Sequence, residues 1–94
     1  MENIVYNELI ARGYDVYIGK TDNGEIDFVV NNFGDRFYIQ VVDYLSNDEV
    51  IKREFDAYKN IDDNFPKYVI TMDKMNYSKD GIIHKNIVDW LLEK

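Results

Sequence analysis

Hydrophobic residues recur at helical spacing at the start of the chain and predict a first helix over residues 1–12. The residues on its apolar face are Val5, Tyr6, Leu9 and Ile10. Gly13 is placed to end this helix in a left-handed conformation. No cap residue precedes the helix, so we expect the natural polypeptide to continue on its N-terminal side.

The next segment alternates apolar and polar positions, which predicts strands rather than helices. We expect strands over residues 14–19, 25–31 and 36–44, with a hairpin turn at Asp22-Asn23-Gly24 between the first two. The third strand is nearly apolar, as is typical of a strand at the centre of a sheet that is covered on both faces. These three strands are therefore predicted to pair antiparallel.

A capping box predicts where the second helix begins. Ser46 and Glu49 have the spacing of such a box, so we expect a helix from there to about Ile61. Residues 67–72 then predict a buried strand. Because a strand, a helix and a strand follow one another, this last strand should cross over and pair parallel to the third.

The end of the chain predicts a short edge strand at residues 81–85 and a last amphipathic helix capped by Asn86. Residues 1–94 are thus predicted to form one α/β domain with the order α-β-β-β-α-β, followed by an extra edge strand and a C-terminal helix.

Alternation along the second and third strands brings two polar side chains together. On the second strand, Ile26, Phe28 and Val30 are expected to share the apolar face, which leaves Asp27 on the other face. The same argument on the third strand places Gln40 on the face of Asp27. We therefore expect these two side chains to be neighbours.

This arrangement resembles the restriction-endonuclease-like superfamily, including the Holliday-junction resolvases. Those enzymes carry an acid in the second strand, a Glu-x-Lys motif in the third and a glutamate on the first helix. In this chain the corresponding residues are Asp27, Tyr38, Gln40 and Glu2. The resemblance implies a mixed sheet and, for a working enzyme, a Mg²⁺ or Mn²⁺ ion that activates water for phosphodiester hydrolysis.

Two of the four positions depart from the superfamily pattern. Tyr38 offers a neutral phenol where a metal ligand is expected, and Gln40 offers an amide where a lysine would supply positive charge. Only Glu2 and Asp27 remain as metal ligands. We therefore interpret Asp27 and Gln40 as the vestige of a catalytic site.

A closer resemblance covers nearly the whole chain and rests on the order and spacing of short segments. These are Glu2-Asn3, Glu8-Leu9, Arg12-Gly13-Tyr14, Glu25-Ile26-Asp27-Phe28, Tyr38-Ile39-Gln40-Val41, Arg53-Glu54 and Asn86-Ile87-Val88-Asp89-Trp90-Leu91-Leu92. The chain resembles the C-terminal domain, of unknown function, of bacterial and archaeal AAA-type ATPases. In that family an ATPase domain and a winged-helix region precede the nuclease-like domain, so the resemblance implies these domains of the parent chain, or another protein, as partners.

Composition restricts the functions further. The chain has 18 acidic and 11 basic residues and a net charge of −7, which repels a phosphate backbone, so direct nucleic-acid binding is not expected. It has no cysteine, which excludes disulfides and thiolate zinc sites and agrees with a cytoplasmic location. Its apolar runs are too short to cross a membrane.

Two short motifs imitate functional sites. Gly19-Lys20-Thr21 resembles the end of a phosphate-binding loop, but Tyr14 stands where that loop needs a glycine, so no nucleotide cofactor is expected. His84 has no second histidine or cysteine at ligand spacing, and we expect it to be a half-exposed residue of the edge strand.

Three functions remain open. The first is a non-catalytic module of an AAA-type ATPase that serves protein interaction or regulation. The second is a divalent-metal-dependent DNA nuclease with a variant site, in which Glu8 or Glu25 replaces a missing ligand. The third is a free-standing small domain that binds a protein partner through the strand at residues 81–85.

Overall fold

A computed structural model describes residues 1–21, 24–59 and 61–93. The helices and strands among these residues are α1 (Glu2–Ala11), β1 (Asp15–Thr21), β2 (Gly24–Asn32), β3 (Asp35–Val41), α2 (Asp48–Asp56), β4 (Lys67–Thr71), β5 (Ile82–Asn86) and α3 (Ile87–Leu92). The predicted α/β class and the predicted order of elements are confirmed. Asp22 and Asn23, on which the predicted hairpin turn falls, lie outside the described residues.

The described strands form one five-stranded mixed sheet in the order β1-β2-β3-β4-β5. The first three strands pair antiparallel, as the alternating pattern predicts. β4 pairs parallel to β3, and β5 pairs parallel to β4. The connection through α2 is long enough to return the chain for parallel pairing. β1 and β5 therefore form the two edges of the sheet.

Helices cover both faces of the sheet and enclose two hydrophobic clusters. On one side α1 and α3 pack over the cluster of Val5, Leu9, Phe28, Val30, Ile39, Val41, Ile70, Ile87 and Trp90. On the other side α2 and its connections pack over the cluster of Ile26, Tyr38, Leu45, Phe55, Ala57, Tyr58, Val69 and Ile82. The central position predicted for β3 is confirmed, since its residues contribute alternately to the two clusters. No helix in the described part of the chain is long and apolar enough to cross a bilayer.

An irregularity in β2 changes which side chains share a face. Tyr17 pairs with Val29, but Gly19 pairs with Ile26, so β2 contains one residue more than β1 over this stretch. Such an insertion breaks the alternation of side chains. The prediction that Ile26 and Phe28 share a face is therefore wrong: Ile26 packs on the α2 side and Phe28 on the α1 side.

Gly19 is required by close packing at this irregularity. A Cβ atom at this position would lie 2.6 Å from Val29 Cγ2 and 3.1 Å from Ile26 Cβ. Both contacts are shorter than van der Waals separation, and valine is too stiff to move its methyl group easily. The motif that imitates a phosphate-binding loop thus lies within β1 and has a packing role.

The ends of α2 and β3 differ from the prediction. Asn47, and not Ser46, caps α2, because its side-chain oxygen accepts the Val50 N–H at 2.9 Å. The helix ends at Asp56 rather than near Ile61, and the chain continues in tighter turns. β3 ends at Val41 rather than at residue 44, since the chain there turns towards α2.

Arg12 joins the two helices on the same side of the sheet. Its Nη2 donates to the carbonyl oxygens of Trp90 at 3.1 Å, Leu91 at 3.4 Å and Glu93 at 2.8 Å. Its guanidinium carbon lies 4.8 Å from the centre of the Trp90 ring. Arg12 thereby supplies donors to carbonyl groups at the C-terminal end of α3, where the Glu93 N–H bonds only to the Trp90 carbonyl. Asn86 caps the other end of α3, as predicted, by accepting the Val88 N–H at 2.9 Å.

Candidate functional site

Asp27 and Gln40 are neighbours, as predicted, and the side chain of each accepts a hydrogen bond from a backbone N–H of the other's strand. The Asp27 N–H donates to Gln40 Oε1 at 2.7 Å, and the Val41 N–H donates to Asp27 Oδ2 at 2.8 Å. Regular pairing between β2 and β3 ends at Phe28 and Ile39. The two side chains therefore replace the main-chain hydrogen bonds at the point where the strands separate.

The Asp27 carboxylate is held in surroundings that favour its protonated form. Burial raises the pKa of Asp27 from 3.8 to about 6, against the hydrogen bond from Val41, which acts to lower it. The negative charges of Glu2, Glu54 and Glu25 raise the pKa further. Asp27 consequently changes its charge close to physiological pH.

Glu2 and Tyr38, the other residues of the resemblance, have different surroundings. Glu2 is exposed in the first turn of α1, near enough for its charge to act on Asp27. Tyr38 is buried on the α2 side, and its hydroxyl donates to Asp63 Oδ2 at 2.6 Å. Burial and this bond to Asp63 raise the pKa of Tyr38. The Tyr38 phenol is therefore neutral, and its hydroxyl is hydrogen-bonded to the Asp63 carboxylate in the loop before β4.

The alternative ligands named from the sequence do not form a metal site with Asp27 among the described residues. Glu8 is bound to Arg12, with its Oε2 2.7 Å from Arg12 Nε. Glu25 is exposed and pairs in register with Lys20 on β1. Within the described residues, no three His, Cys, Asp or Glu side chains are grouped so that they could hold a metal ion.

Two α2-side residues near Asp27 were not singled out as site residues from the sequence. The Glu54 side chain is only 13% exposed, has Arg53 as an ion-pair partner at 3.4 Å, and raises the pKa of Asp27 through its charge. The Tyr58 hydroxyl donates to the Tyr68 carbonyl at 2.6 Å. The spacing of α2 indicates the buried position of Tyr58, but only the packing of α2 on the sheet brings Glu54 near enough for its charge to act on Asp27.

His84 is buried, and the prediction of a half-exposed residue is wrong. It is 4% exposed because the segment before β5 folds back against that strand. The Tyr77 N–H donates to Nδ1 at 3.2 Å, so the ring proton lies on Nε2 and faces Thr71 Oγ1 at 2.7 Å. The Thr71 hydroxyl donates to Asp73 Oδ2 at 3.1 Å.

This buried network is structural rather than nucleophilic. Burial lowers the pKa of His84, although Asp73 and the Met75 backbone act to raise it, so the ring stays neutral. Thr71 is 0% exposed and cannot meet a substrate. The three side chains therefore hold β4, β5 and the loop between them together.

The chemistry open to the Asp27 site follows from these bonds. Gln40 Oε1 and Asp27 Oδ2 both accept backbone N–H groups, so each has a structural task. The amide of Gln40 supplies no charge and does not titrate. Asp27 remains a titratable carboxyl group that joins two strands, with Glu2, Glu25 and Glu54 around it.

Comparison with known proteins places this chain in a family. Residues 1–90 match the family model described as a domain of unknown function, DUF4143. The chain is also similar to an uncharacterized protein of Haemophilus influenzae (strain ATCC 51907 / DSM 11121 / KW20 / Rd), with 38% identity over 94 residues. That match covers 99% of this chain and 23% of the relative, so the chain spans less than a quarter of the relative's length. The chain belongs to the DUF4143 family.

Proposed function

We propose that this domain is a non-catalytic, restriction-endonuclease-like module of a longer AAA-type ATPase, in which it serves protein interaction or regulation. One observation carries the proposal. Gln40 stands where the nuclease motif has a lysine, and its side-chain oxygen accepts the Asp27 N–H at 2.7 Å, so the amide joins the two strands. An amide carries no charge and does not titrate, so it cannot perform the role of that lysine.

The length of the relative supports a module within a longer chain. In the H. influenzae protein, the matched segment is 23% of the whole, so most of that chain lies outside it. The ATPase and winged-helix domains are the partners that the family resemblance implies. The net charge of −7 also favours a protein partner over nucleic acid, because phosphates would be repelled.

The experiment for this proposal compares the full-length encoded polypeptide with a variant that lacks this domain. We expect deletion to change the rate of ATP hydrolysis or its response to a partner. We expect no nuclease activity in either polypeptide. An encoded polypeptide without a nucleotide-binding domain, or an ATPase rate that is the same with and without this domain under every condition, would contradict the proposal.

A metal-dependent DNA nuclease is the second candidate, and one observation favours it. The negative charges of Glu2, Glu54 and Glu25 raise the pKa of Asp27, and a divalent cation held at Asp27 would relieve this repulsion. Calorimetric titration with Mg²⁺ and with Mn²⁺, together with cleavage assays on plasmid and branched DNA, separates the two candidates. Saturable cation binding and cleavage that Asp27→Ala abolishes would establish the nuclease; neither is expected from the non-catalytic module.

A free-standing protein-binding domain is the third candidate. Its proposed contact was the strand at residues 81–85, and β5 does lie at an edge of the sheet. That edge is partly covered, however, because Lys79 forms a bridge with Ile82 and the His84 N–H donates to Ser78 Oγ at 2.8 Å. A partner strand would have to displace these bonds.

A further inference from the structure

The two edges of the sheet differ in how far their backbone groups are covered. The segment at Tyr77, Ser78 and Lys79 bonds back onto β5. β1, by contrast, pairs with β2 alone among the described strands. In such a strand every second residue directs its N–H and C=O away from the sheet. The extra residue of the irregularity lies in β2, so β1 keeps a regular outer edge.

A groove runs beside this open edge on the α1 side. We call it the α1–β1 groove, and it has a volume of about 470 Å³. Its lining includes the apolar side chains of Tyr6, Val16, Ile18 and Phe28 and, at the start of α1, Glu2 and Asn3. Ile18 is 68% exposed and Tyr6 is 44% exposed, although the Tyr6 and Phe28 rings lie only 6.1 Å apart. Apolar side chains are therefore gathered here without being covered.

Helix α1 carries apolar residues on its outer face as well as on the face that packs on the sheet. Its apolar residues surround the helix, but only Val5 and Leu9 are buried by this domain. Tyr6 and Ile10, predicted to lie on the buried face, are 44% and 47% exposed. Exposed apolar side chains that gather beside a groove are available for contact with a second body.

The charge around the groove decides the chemistry of an occupant. Residues 1–45 carry eight acids and three bases, a net charge of −5, and Glu2 is part of the lining of the groove. Lys20, the basic residue of β1, pairs in register with Glu25, which offsets its charge. A second copy of this chain, with its own charge of −7, would be repelled, whereas a segment rich in lysine or arginine would be attracted.

We propose that the α1–β1 groove binds an extended basic segment of a partner domain, which adds a strand to β1 and places alternate apolar side chains beside Ile18 and Tyr6. This inference rests on the proposed interaction role and identifies the surface that performs it. Main-chain hydrogen bonds to β1 give affinity, the apolar groove selects every second side chain, and Glu2 selects positive charge.

The test uses the 94-residue chain labelled with ¹⁵N and a blocked nine-residue peptide of alternating isoleucine and lysine. We expect amide shifts over β1 and around Tyr6 and Phe28. Replacing the peptide's lysines with glutamates, or N-methylating alternate residues, should each abolish saturation, because these changes remove the charge or the main-chain donors. Ile18→Ser should weaken binding about tenfold, since the buried area of one aliphatic side chain is lost. Ile83→Ser, at a 40% exposed isoleucine of β5, is the matched control and should bind as the wild type does.

Each other outcome overturns the inference. Shifts confined to β5 or α2, equal binding of the glutamate peptide, no binding at all, or equal affinity of Ile18→Ser and Ile83→Ser would each exclude the groove. A dimer formed through β1 at neutral pH would show a second copy to be the occupant. Peptide binding at another surface would contradict the groove but not the proposed interaction role. Nuclease activity of the chain would contradict the proposed non-catalytic role but would say nothing about the groove.

Discussion

At the scale of single residues, Asp27 is a partly buried carboxyl group whose surroundings disfavour its charged form. Burial raises its pKa from 3.8 to about 6, and Glu2, Glu54 and Glu25 add to the effect. Between these two pH values the folded chain therefore binds more protons at this site than the unfolded chain does. Protonation of Asp27 therefore contributes stability that is fully present below pH 3.8 and is lost as the pH rises through about 6.

We expect Asp27→Asn to stabilise the domain at pH 7.5 by about 1–2 kcal/mol, a value reduced for the partial exposure of the group. An asparagine oxygen can still accept the Val41 N–H, while the charge is gone. Near pH 4 the variant and the wild type should be equally stable. Urea unfolding at pH 4, 5.5 and 7.5 measures this, with Asp35→Asn, at the exposed first residue of β3, as the control. Parallel stability curves for wild type and Asp27→Asn would show that Asp27 is not the group responsible.

Gln40 carries the second prediction at this scale, because its oxygen accepts a backbone donor that has no strand partner. Gln40→Met keeps the length of the side chain but removes this acceptor, so the Asp27 N–H is left without a bond. We expect the free energy of unfolding to fall by about 1–3 kcal/mol. Hydrogen exchange at the Asp27 amide should accelerate with it. Gln40→Glu retains an acceptor oxygen and should keep the amide protected; unchanged protection in Gln40→Met would refute the assignment.

At the scale of elements, α3 depends on Arg12. Its six residues are too few to form a stable helix alone. The guanidinium group donates to three carbonyl oxygens at its C-terminal end and lies over Trp90. A lysine could reach one of these oxygens but cannot reproduce the planar, multiple contact.

We expect Arg12→Lys to lower the free energy of unfolding by about 1–3 kcal/mol, because hydrogen bonds from a charged group are lost at a partly buried position. Amides of α3 should exchange faster than those of α2. Arg53→Lys is the control, since the Arg53 side chain is 68% exposed and its substitution should change stability by no more than about 0.5 kcal/mol. Equal losses in the two variants would mean that Arg12 has no special role.

Helices and strands of this chain could be predicted from the spacing of its apolar residues. Periodicity identified every described helix and strand. Together with the crossover rule, it predicted the antiparallel pairs of β1, β2 and β3 and the parallel pair of β3 and β4, but it did not predict that β5 pairs parallel to β4. It failed where an extra residue in β2 moved Ile26 to the other face, because no local signal marks which residue a partner strand leaves unpaired. It also failed at α1, where apolar spacing alone does not distinguish Tyr6, which is exposed, from Val5, which is buried.

The candidate site was predictable only in part, for a related reason. Alternation was sufficient to bring Asp27 beside Gln40, since both lie on neighbouring strands. Their actual bonds run from side chain to backbone, and that geometry depends on where the two strands separate. Glu54 approaches from α2, and His84 is buried by the segment that precedes β5; both positions are set by tertiary packing rather than by any nearby sequence pattern.

At the scale of the whole molecule, the sheet has one protected and one open edge, and net charge decides whether the open edge pairs with itself. At neutral pH each chain carries a charge of −7, which opposes approach of a second copy. Near the isoelectric point of about 4.5 this repulsion disappears, while β1 and the exposed Ile18 remain available.

We therefore expect the chain to be a monomer at pH 7.5 and to associate as the pH is lowered towards 5. Ile18→Ser should reduce this association because it removes the apolar contact beside β1, whereas Ile83→Ser on the covered edge should leave it unchanged. Light scattering coupled to size-exclusion chromatography at both pH values measures the difference. A cooperative urea transition at pH 5 checks that the chain is still folded there, so that association reflects native edges rather than unfolding. Association that Ile83→Ser suppresses, or that is already complete at pH 7.5, would show that charge does not protect the edge formed by β1.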